Sequence, residues 1–465
     1  MNRNSTQAGV VFIVVTLSAF LAPFMASALN VALPVIGREF SIDAVLLGWI
    51  ATSYILAAAM FLLPFGRIGD LWGRKRVFLL GMIVYAAGSL FSAIAPSAAM
   101  LILTRIVSGV GAAMGFATGT AILVSVVAPA RRGAALGWNV AAVYIGLAMG
   151  PFLGGVITHN LGWRWIFVIN AGVGAAVAGL IGWKVTGEWN EARGGRFDAV
   201  GSLIYCVTLP VFMFGLSSVS KPHGAGLVVA GLIGLAAFVR WELRARSPVF
   251  DVAAFVRNSV FAFSNAAALI NYSATAAVSF LLSLYLQYAK DLTAQQAGLV
   301  LVAQPVVMAL FSPVAGRLSD RLEAGKLASA GMALTVAGLV VFCFLREGSS
   351  LWHVISGLVV LGFGFALFSS PNINAVMSSV DRTQYGIASS TLATMRLIGQ
   401  MLSMGIVMLL MTLTIGPVQI TVETRPQVLK CITTAFGVFA VLCVVGVFAS
   451  VVRGKVPAAS RGPAA

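Results

Sequence analysis

Apolar residues in this chain come in unbroken stretches of about 20 or more, separated by short polar turns, and not in the one-sided stripe of a soluble amphipathic helix. An α-helix of about 20 residues crosses roughly 30 Å of hydrocarbon. Fourteen stretches are long enough, over roughly residues 9–35, 46–66, 77–96, 99–127, 134–158, 164–185, 198–219, 225–241, 258–288, 295–315, 326–345, 351–378, 386–415 and 430–452. The pattern predicts an all-α membrane protein with no soluble domain. The first stretch exceeds a signal-peptide core and lacks a small-residue cleavage site, so it is expected to be retained as a span.

Composition agrees: 59% hydrophobic and 9% charged residues, with mean hydropathy +0.97, give more apolar surface than a water-soluble domain can hide. The net charge of +16 would suggest a polyanionic partner in a soluble protein. Position decides otherwise. With the N-terminus in the cytoplasm, 21 of the 30 lysines and arginines fall on cytoplasmic segments, among them Arg74, Lys75, Arg76, Arg131, Arg132, Arg240, Arg244 and Arg246. This is the positive-inside bias, so the charge reports topology and no nucleic-acid partner is expected. An even number of spans then puts both termini in the cytoplasm, in a plasma membrane or a bacterial inner membrane.

Candidate chemistry is sparse. Cys206, Cys343, Cys431 and Cys443 fall within spans without CxxC spacing and read as packing residues, while His159, His223 and His353 are scattered near outer helix ends. No metal cluster, catalytic constellation or GxxxxGK[ST] phosphate loop is apparent, so neither a cofactor nor ATP hydrolysis is expected. Uphill movement of a solute would draw on an ion or solute gradient.

A short repeat organises the spans. Gly66-Arg67-Ile68-Gly69-Asp70 follows the second stretch and Gly316-Arg317-Leu318-Ser319-Asp320 follows the tenth. These align if six spans are followed by two extra spans and then six more. The predicted units are residues 1–190, an inserted pair within 191–250, and residues 251–465. Two facing bundles place a binding site near mid-membrane, exposed to either side in turn.

Several motifs resemble one family. Gly66 through Arg76 is similar to the signature loop Gly-x-x-x-Asp-x-x-Gly-Arg-Lys/Arg of the major facilitator superfamily, with Gly73 and Arg74 in place. Gly137, Gly146, Gly150, Pro151, Gly154 and Gly155 fit the span-five antiporter signature of its drug exporters. Asn30-Val31-Ala32-Leu33-Pro34, and Leu284-Tyr285-Leu286-Gln287 followed by Gln296-Ala297-Gly298, resemble elements of the fourteen-span drug:proton antiporters. The resemblance covers essentially the whole chain. It implies a major facilitator fold of two six-helix bundles plus two added helices, and efflux of small amphipathic compounds coupled to protons.

It also implies roles. Asp70, with Gly66, Gly73 and Arg74, is expected to hold a neighbouring helix's positive N-terminus or a nearby cation in one conformation and release it in the other. In the second copy Gly316, Asp320 and Arg321 would be complemented by Asp381 and Arg382, whereas the first-half loop Pro129-Ala130-Arg131-Arg132-Gly133 has no acidic residue. Pro151 and the span-five glycines read as close packing with a functional bend. Gly111, Gly115 and Gly119 in span four fit either fixed packing or a sliding contact.

Ionisable groups inside hydrocarbon usually mark function. Arg105, in a sequence resembling the family's fourth-span arginine motif, and Arg396, ahead of Gly399, are the two within spans. Each is read either as functional or as a structural arginine satisfied by helix carbonyls. All fourteen acidic residues lie in loops or at helix ends. Where the fourteen-span exporters usually carry an aspartate in span one, this chain has Met25, and Ser27 replaces a threonine. Two arginines without a carboxylate make a positive field that repels lipophilic cations, which favours a neutral or anionic amphiphile as substrate. Asn30, Tyr54, Asn139, Tyr144, Asn265, Asn271, Tyr272, Gln304, Asn372 and Asn374 are the uncharged cavity candidates, each of which could equally bond helix to helix. Uptake or exchange of a carboxylate metabolite, with an arginine pairing the anion, is the alternative within transport. A membrane-embedded enzyme or receptor is the alternative of another class; against the enzyme stands the absence of a reactive cluster in the spans, and against the receptor the absence of an attached cytoplasmic output domain.

Overall fold

The computed structural model of the chain describes residues 3–127, 132–189, 195–380 and 385–452. Six helices, α1 Arg3–Phe40, α2 Ala44–Trp72, α3 Arg74–Ala93, α4 Ala98–Val126, α5 Arg132–Asn160 and α6 Arg164–Lys184, precede an inserted pair, α7 Ala199–Ser217 and α8 Gly224–Glu242. After the short α9 Val252–Arg257 come α10 Ser259–Thr275, α11 Val278–Leu284, α12 Ala294–Leu301, α13 Ala303–Arg321, α14 Ala324–Cys343, α15 Leu351–Ser378, α16 Tyr385–Thr414 and α17 Arg425–Val452. Fourteen segments are long and apolar enough to cross a membrane, α10 with α11 making the ninth and α12 with α13 the tenth. Among the described residues there is no strand, only an isolated bridge between Asp43 and Gln419.

Helix ends follow from local chemistry. The Asp43 carboxylate accepts the Leu46 N–H at 2.7 Å to start α2, and Thr293 with Gln296 forms a capping box at α12. The polar motif after residue 66, expected to lie in a loop, is helical to Trp72, because nothing after Pro64 interrupts the backbone bonds. The stop is Gly73, whose φ of 120° suits glycine. Two spans predicted as continuous are broken instead. Pro305 has no N–H for the Leu301 carbonyl, and the tenth span divides at Val302. The ninth divides at Ala276 and Ala277, where the Ala277 N–H turns to Ser403 Oγ at 3.0 Å, and it ends in a π-turn over Tyr285–Ala289.

The pairings in the first six helices recur in the second half. In the first, α1 packs on α5, α4 on α2 and α3, and α3 on α6; in the second, α10 packs on α16, α15 on α13 and α14, and α14 on α17. This is the two-bundle major facilitator architecture. Between helices in lipid the hydrophobic effect gives no net drive, so close backbone approach carries the packing. A side chain at Gly111 of α4 would overlap the Tyr85 amide of α3, and one at Gly81 would sit 2.9 Å from the Gly111 carbonyl oxygen. Gly115 and Gly119 are looser. The inserted pair lies on the seam: Tyr205 of α7 donates to the Ala59 carbonyl of α2, and Thr412 of α16 donates to the Ser217 carbonyl of α7. Exposed Trp72 and Trp183 near one face, with Trp165 and Trp352 near the other, match the aromatic belts of a bilayer-embedded bundle.

Candidate functional site

The two bundles meet around Tyr144. Its hydroxyl, on α5, lies 2.6 Å from Ser369 Oγ on α15. Met308 of α13, Phe365 of α15, Leu147 and Tyr272 pack around the ring, and Tyr272 meets Phe365 edge-on at 5.4 Å. The half-buried Arg396 of α16 is near enough for its charge to act on the Tyr144 hydroxyl, and the buried Ser312 lies beside that hydroxyl. Elements from both halves thus surround one polar spot in an apolar wall, with one cation. Among the described residues no carboxylate is within ion-pair distance of Arg396.

Arg105 is placed differently. It is 2% exposed and turned into α2, where Nε donates to the Ile50 carbonyl at 2.6 Å and Nη2 to the Ala51 carbonyl at 3.4 Å. The guanidinium lies 5.2 Å from the centre of the Tyr54 ring. Gly109, one turn along the same face of α4, allows this: a Cβ there would be 2.5 Å from the Tyr54 carbonyl oxygen. Of the two readings of this arginine, the carbonyl-satisfied one matches the geometry.

The uncharged candidates separate likewise. Met25 is buried in α1, and Ser27 donates to the Leu147 carbonyl of α5 at 3.2 Å. Asn139 reaches the Val15 carbonyl, Asn372 the Ser264 carbonyl and Asn374 the Ser319 hydroxyl, so these three tie helices together. Asn265 is fully buried and bonds to the Phe261 carbonyl of its own helix; Asn271 is fully buried with no partner for its amide. Gln304 is buried beside the break in the tenth span, and Asn30 is half-buried. Tyr144, Tyr272 and Arg396 are the candidates that converge. Ser369, Ser312, Met308 and Phe365 join them without having been singled out in the sequence, where ordinary apolar helices hide such positions.

Above this spot the face opposite the termini is sealed. Gln287 donates to the Val31 carbonyl at 2.8 Å, Tyr288 to the Pro34 carbonyl at 3.2 Å, and Arg38 to the Gln287 carbonyl at 3.2 Å. Ala44 N–H meets the Val418 carbonyl, and Gln419 reaches that of Ser41. The span-five glycines give the tightest contact. Side chains at Gly146, Gly150 and Gly154 would collide with Phe20, Ser27 and Ala28 of α1, and one at Gly155 would sit 2.6 Å from the Ala294 carbonyl oxygen of α12. A side chain at Gly298 of α12 would overlap the Pro151 carbonyl oxygen, whereas Gly137 faces open space. Every hydrogen bond that joins the two halves among the described residues lies at this face or at the Tyr144 level.

On the termini face the signature motif has contacts within the first half. Asp70 pairs with Arg74 of the next helix at 2.8 Å. The N-terminus of α3 is held by Glu188, whose carboxylate accepts the Lys75 N–H at 2.8 Å and pairs with Arg76 at 3.5 Å. Of the two partners expected for Asp70, cation and helix end, it takes the cation. Gly66 and Gly316 have no close neighbours, and Arg321 is exposed. The Asp320 side chain, Asp381 and Arg382 lie outside the described residues. Among the described residues no group of metal-ligating side chains converges.

A family model described as Major Facilitator Superfamily matches residues 15–264 and again 264–465, and the chain belongs to that superfamily. The two matches meet at residue 264, within α10. Among curated proteins the chain is 32% identical to the riboflavin transporter RibZ of Clostridioides difficile (strain 630), over 84% of this chain and 85% of that one. It is 31% identical to the multidrug resistance protein Stp of Mycobacterium tuberculosis, over 86% and 74% respectively. It is 30% identical to the lincomycin resistance protein of Streptomyces lincolnensis, over 77% and 75%. Among solved structures, a bacterial homolog of the human lysosomal transporter Spinster, inward-facing and unoccupied, superposes with TM-score 0.71 at 15% identity over the full length of both chains. The protein is a multi-pass membrane transporter and not an enzyme.

Proposed function

We propose that this chain is a secondary active exporter that moves neutral or anionic small amphiphiles out of the cytoplasm by alternating access, with the proton as coupling ion. Both termini are cytoplasmic, in the plasma membrane or a bacterial inner membrane, so the sealed face is the outer one. The observation that carries this reading is Arg396 within electrostatic reach of Tyr144 on the seam between the bundles, with no carboxylate paired to it among the described residues. An unpaired cation in a low-dielectric wall attracts an anion or a strong dipole and repels a lipophilic cation. Tyr144, Tyr272, Phe365 and Met308 supply the adaptable apolar surface for the rest of the molecule. Relatives named for multidrug and lincomycin resistance support export, and one named for riboflavin supports an amphipathic, uncharged substrate.

Binding there would replace the Tyr144 to Ser369 contact between the bundles. Rocking would then part the glycine faces of α5 and α12 on one side and bring the signature loops together on the other. Transport into proteoliposomes tests this, with riboflavin, an anionic amphiphile and ethidium compared with and without a pH gradient. Uptake of the first two that rises with the gradient and falls about tenfold or more in Arg396→Gln is expected; robust pH-driven ethidium transport unaffected by Arg396→Gln overturns the charge argument. The same unpaired arginine favours a second reading, uptake or exchange of a carboxylate metabolite. Gradient-independent carboxylate counterflow, with no transport of uncharged amphiphiles, would select it.

A further inference from the structure

Most acidic side chains in the described residues are exposed, half-exposed or paired; Glu242 is 3% exposed and its Oε1 has no hydrogen-bond partner. It is the last residue of α8, and its Oε2 accepts the Phe250 N–H at 3.0 Å. Directly opposite is Asp198, the N-cap of α7, whose carboxylate accepts the Gly201 N–H at 2.8 Å and the Trp241 indole N–H at 2.9 and 3.1 Å. The two carboxyl groups converge over Gly201. A Cβ on that glycine would lie 2.5 Å from Glu242 Oε1 and 2.6 Å from Asp198 Oδ2, so the oxygens are no farther apart than those distances together.

Among the described residues, charged neighbours do not pair with either carboxyl group. Arg240 on α8, Arg244 and Arg246 in the following loop, and Arg196 ahead of α7 are exposed, and none forms an ion pair with either carboxylate. Arg67 of α2 is spent on the Arg196 carbonyl. Asp251, next to Phe250, is exposed. Two adjacent carboxyl groups with no paired cation among the described residues cannot both ionise cheaply, and the fold chooses between them. Asp198 sits at the positive end of α7 and takes N–H donors on both oxygens; Glu242 sits at the negative end of α8, buried.

We propose that Glu242 is a proton-binding site: a neutral carboxylic acid at neutral pH whose Oε1–H donates to Asp198, gaining and losing one proton where the inserted pair joins the second bundle. Residues 243–250 lead from this acid to α9, and α7 touches both α2 and α16. A chain without a mid-span carboxylate therefore has a titrating group on the element that straddles its seam. The proton site stands on its own geometry; its link to the transport cycle rests on the function proposed above.

Infrared spectra of the full chain in lipid nanodiscs, titrated through neutral pH, test the site directly. The expected result is a carboxylic-acid C=O band that persists at neutral pH, disappears in Glu242→Gln, and in Asp198→Asn titrates at lower pH because the neighbouring negative charge is gone. Absence of that band in the wild-type chain, or its persistence unchanged in both variants, overturns the proposal. If Glu242→Gln fails to fold, the wild-type titration and Asp198→Asn still decide. A band that behaves as expected in a protein that moves no amphiphile would leave the proton site standing and remove the proposed function.

Discussion

Arg105 shows how one residue's environment decides between a binding role and a bracing one. A guanidinium inside hydrocarbon is costly unless its N–H groups are met, and here they meet the Ile50 and Ala51 carbonyls under the face of Tyr54. The arginine thus fastens α4 to α2. Hydrogen bonds from a charged donor contribute about 1.5–3 kcal/mol, so Arg105→Ala is expected to destabilise the purified protein by that order and lower its unfolding temperature. Arg105→Lys should recover only part, since an ammonium neither lies flat on the ring nor reaches both carbonyls in one plane. Thermal unfolding in detergent checks both, with Arg396→Gln as the half-buried comparison that should leave the midpoint nearly unchanged. An unaltered midpoint in Arg105→Ala would return this residue to the substrate path. The sequence makes Arg105 conspicuous as an intramembrane charge, but its direction depends on Gly109 letting α2 approach, and only the packed bundle contains that information.

At the level of elements, the sealed face depends on two stretches far apart in the chain. Gly155 of α5 and Gly298 of α12 each press on the other helix's backbone, Gly298 against the Pro151 carbonyl and Gly155 against that of Ala294. Valine at Gly298 cannot be accommodated without the helices separating, so Gly298→Val is expected to hold the far face open. Spin labels at Asn160 and Lys290, near the ends of these spans, should report a longer distance than in the parent protein. Gly137→Ala, at a position with nothing nearby, should leave that distance unchanged. An unaltered distance in Gly298→Val would mean that this contact does not hold the seal. Both motifs are visible in the sequence, yet nothing in their spacing pairs them, because the contact is between bundles. The fourteen spans were legible because apolar length alone specifies them in lipid. The breaks in the ninth and tenth were not, although Pro305 marks one of them. Nor was Glu188, whose role at the N-terminus of α3 arises only when the linker folds back over Gly73.

For the whole molecule, the position of these contacts matters more than their number. All hydrogen bonds between the halves, among the described residues, lie at the Tyr144 level or beyond it toward the loops at residues 41–43 and 415–424. A protein that works by rocking must break this set and form another on the opposite face. Ser41 and Gln419, joined across the seam, allow the requirement to be tested by holding the set in place. With both changed to cysteine, oxidation should link the two halves at the far face and reduce proteoliposome transport to background, and a reductant should restore it. The four native cysteines are unpaired and at least half-buried within the spans, and each single-cysteine variant controls for them. An impermeant oxidant applied from outside should form the link in right-side-out membranes, and that tests the cytoplasmic placement of the termini in the same experiment. Transport at the full rate in a protein shown to be cross-linked would mean that solute passes without the far face opening. The relation drawn between the glycine faces, the seam and the Arg396 site would then fail, even with every helix in its observed place.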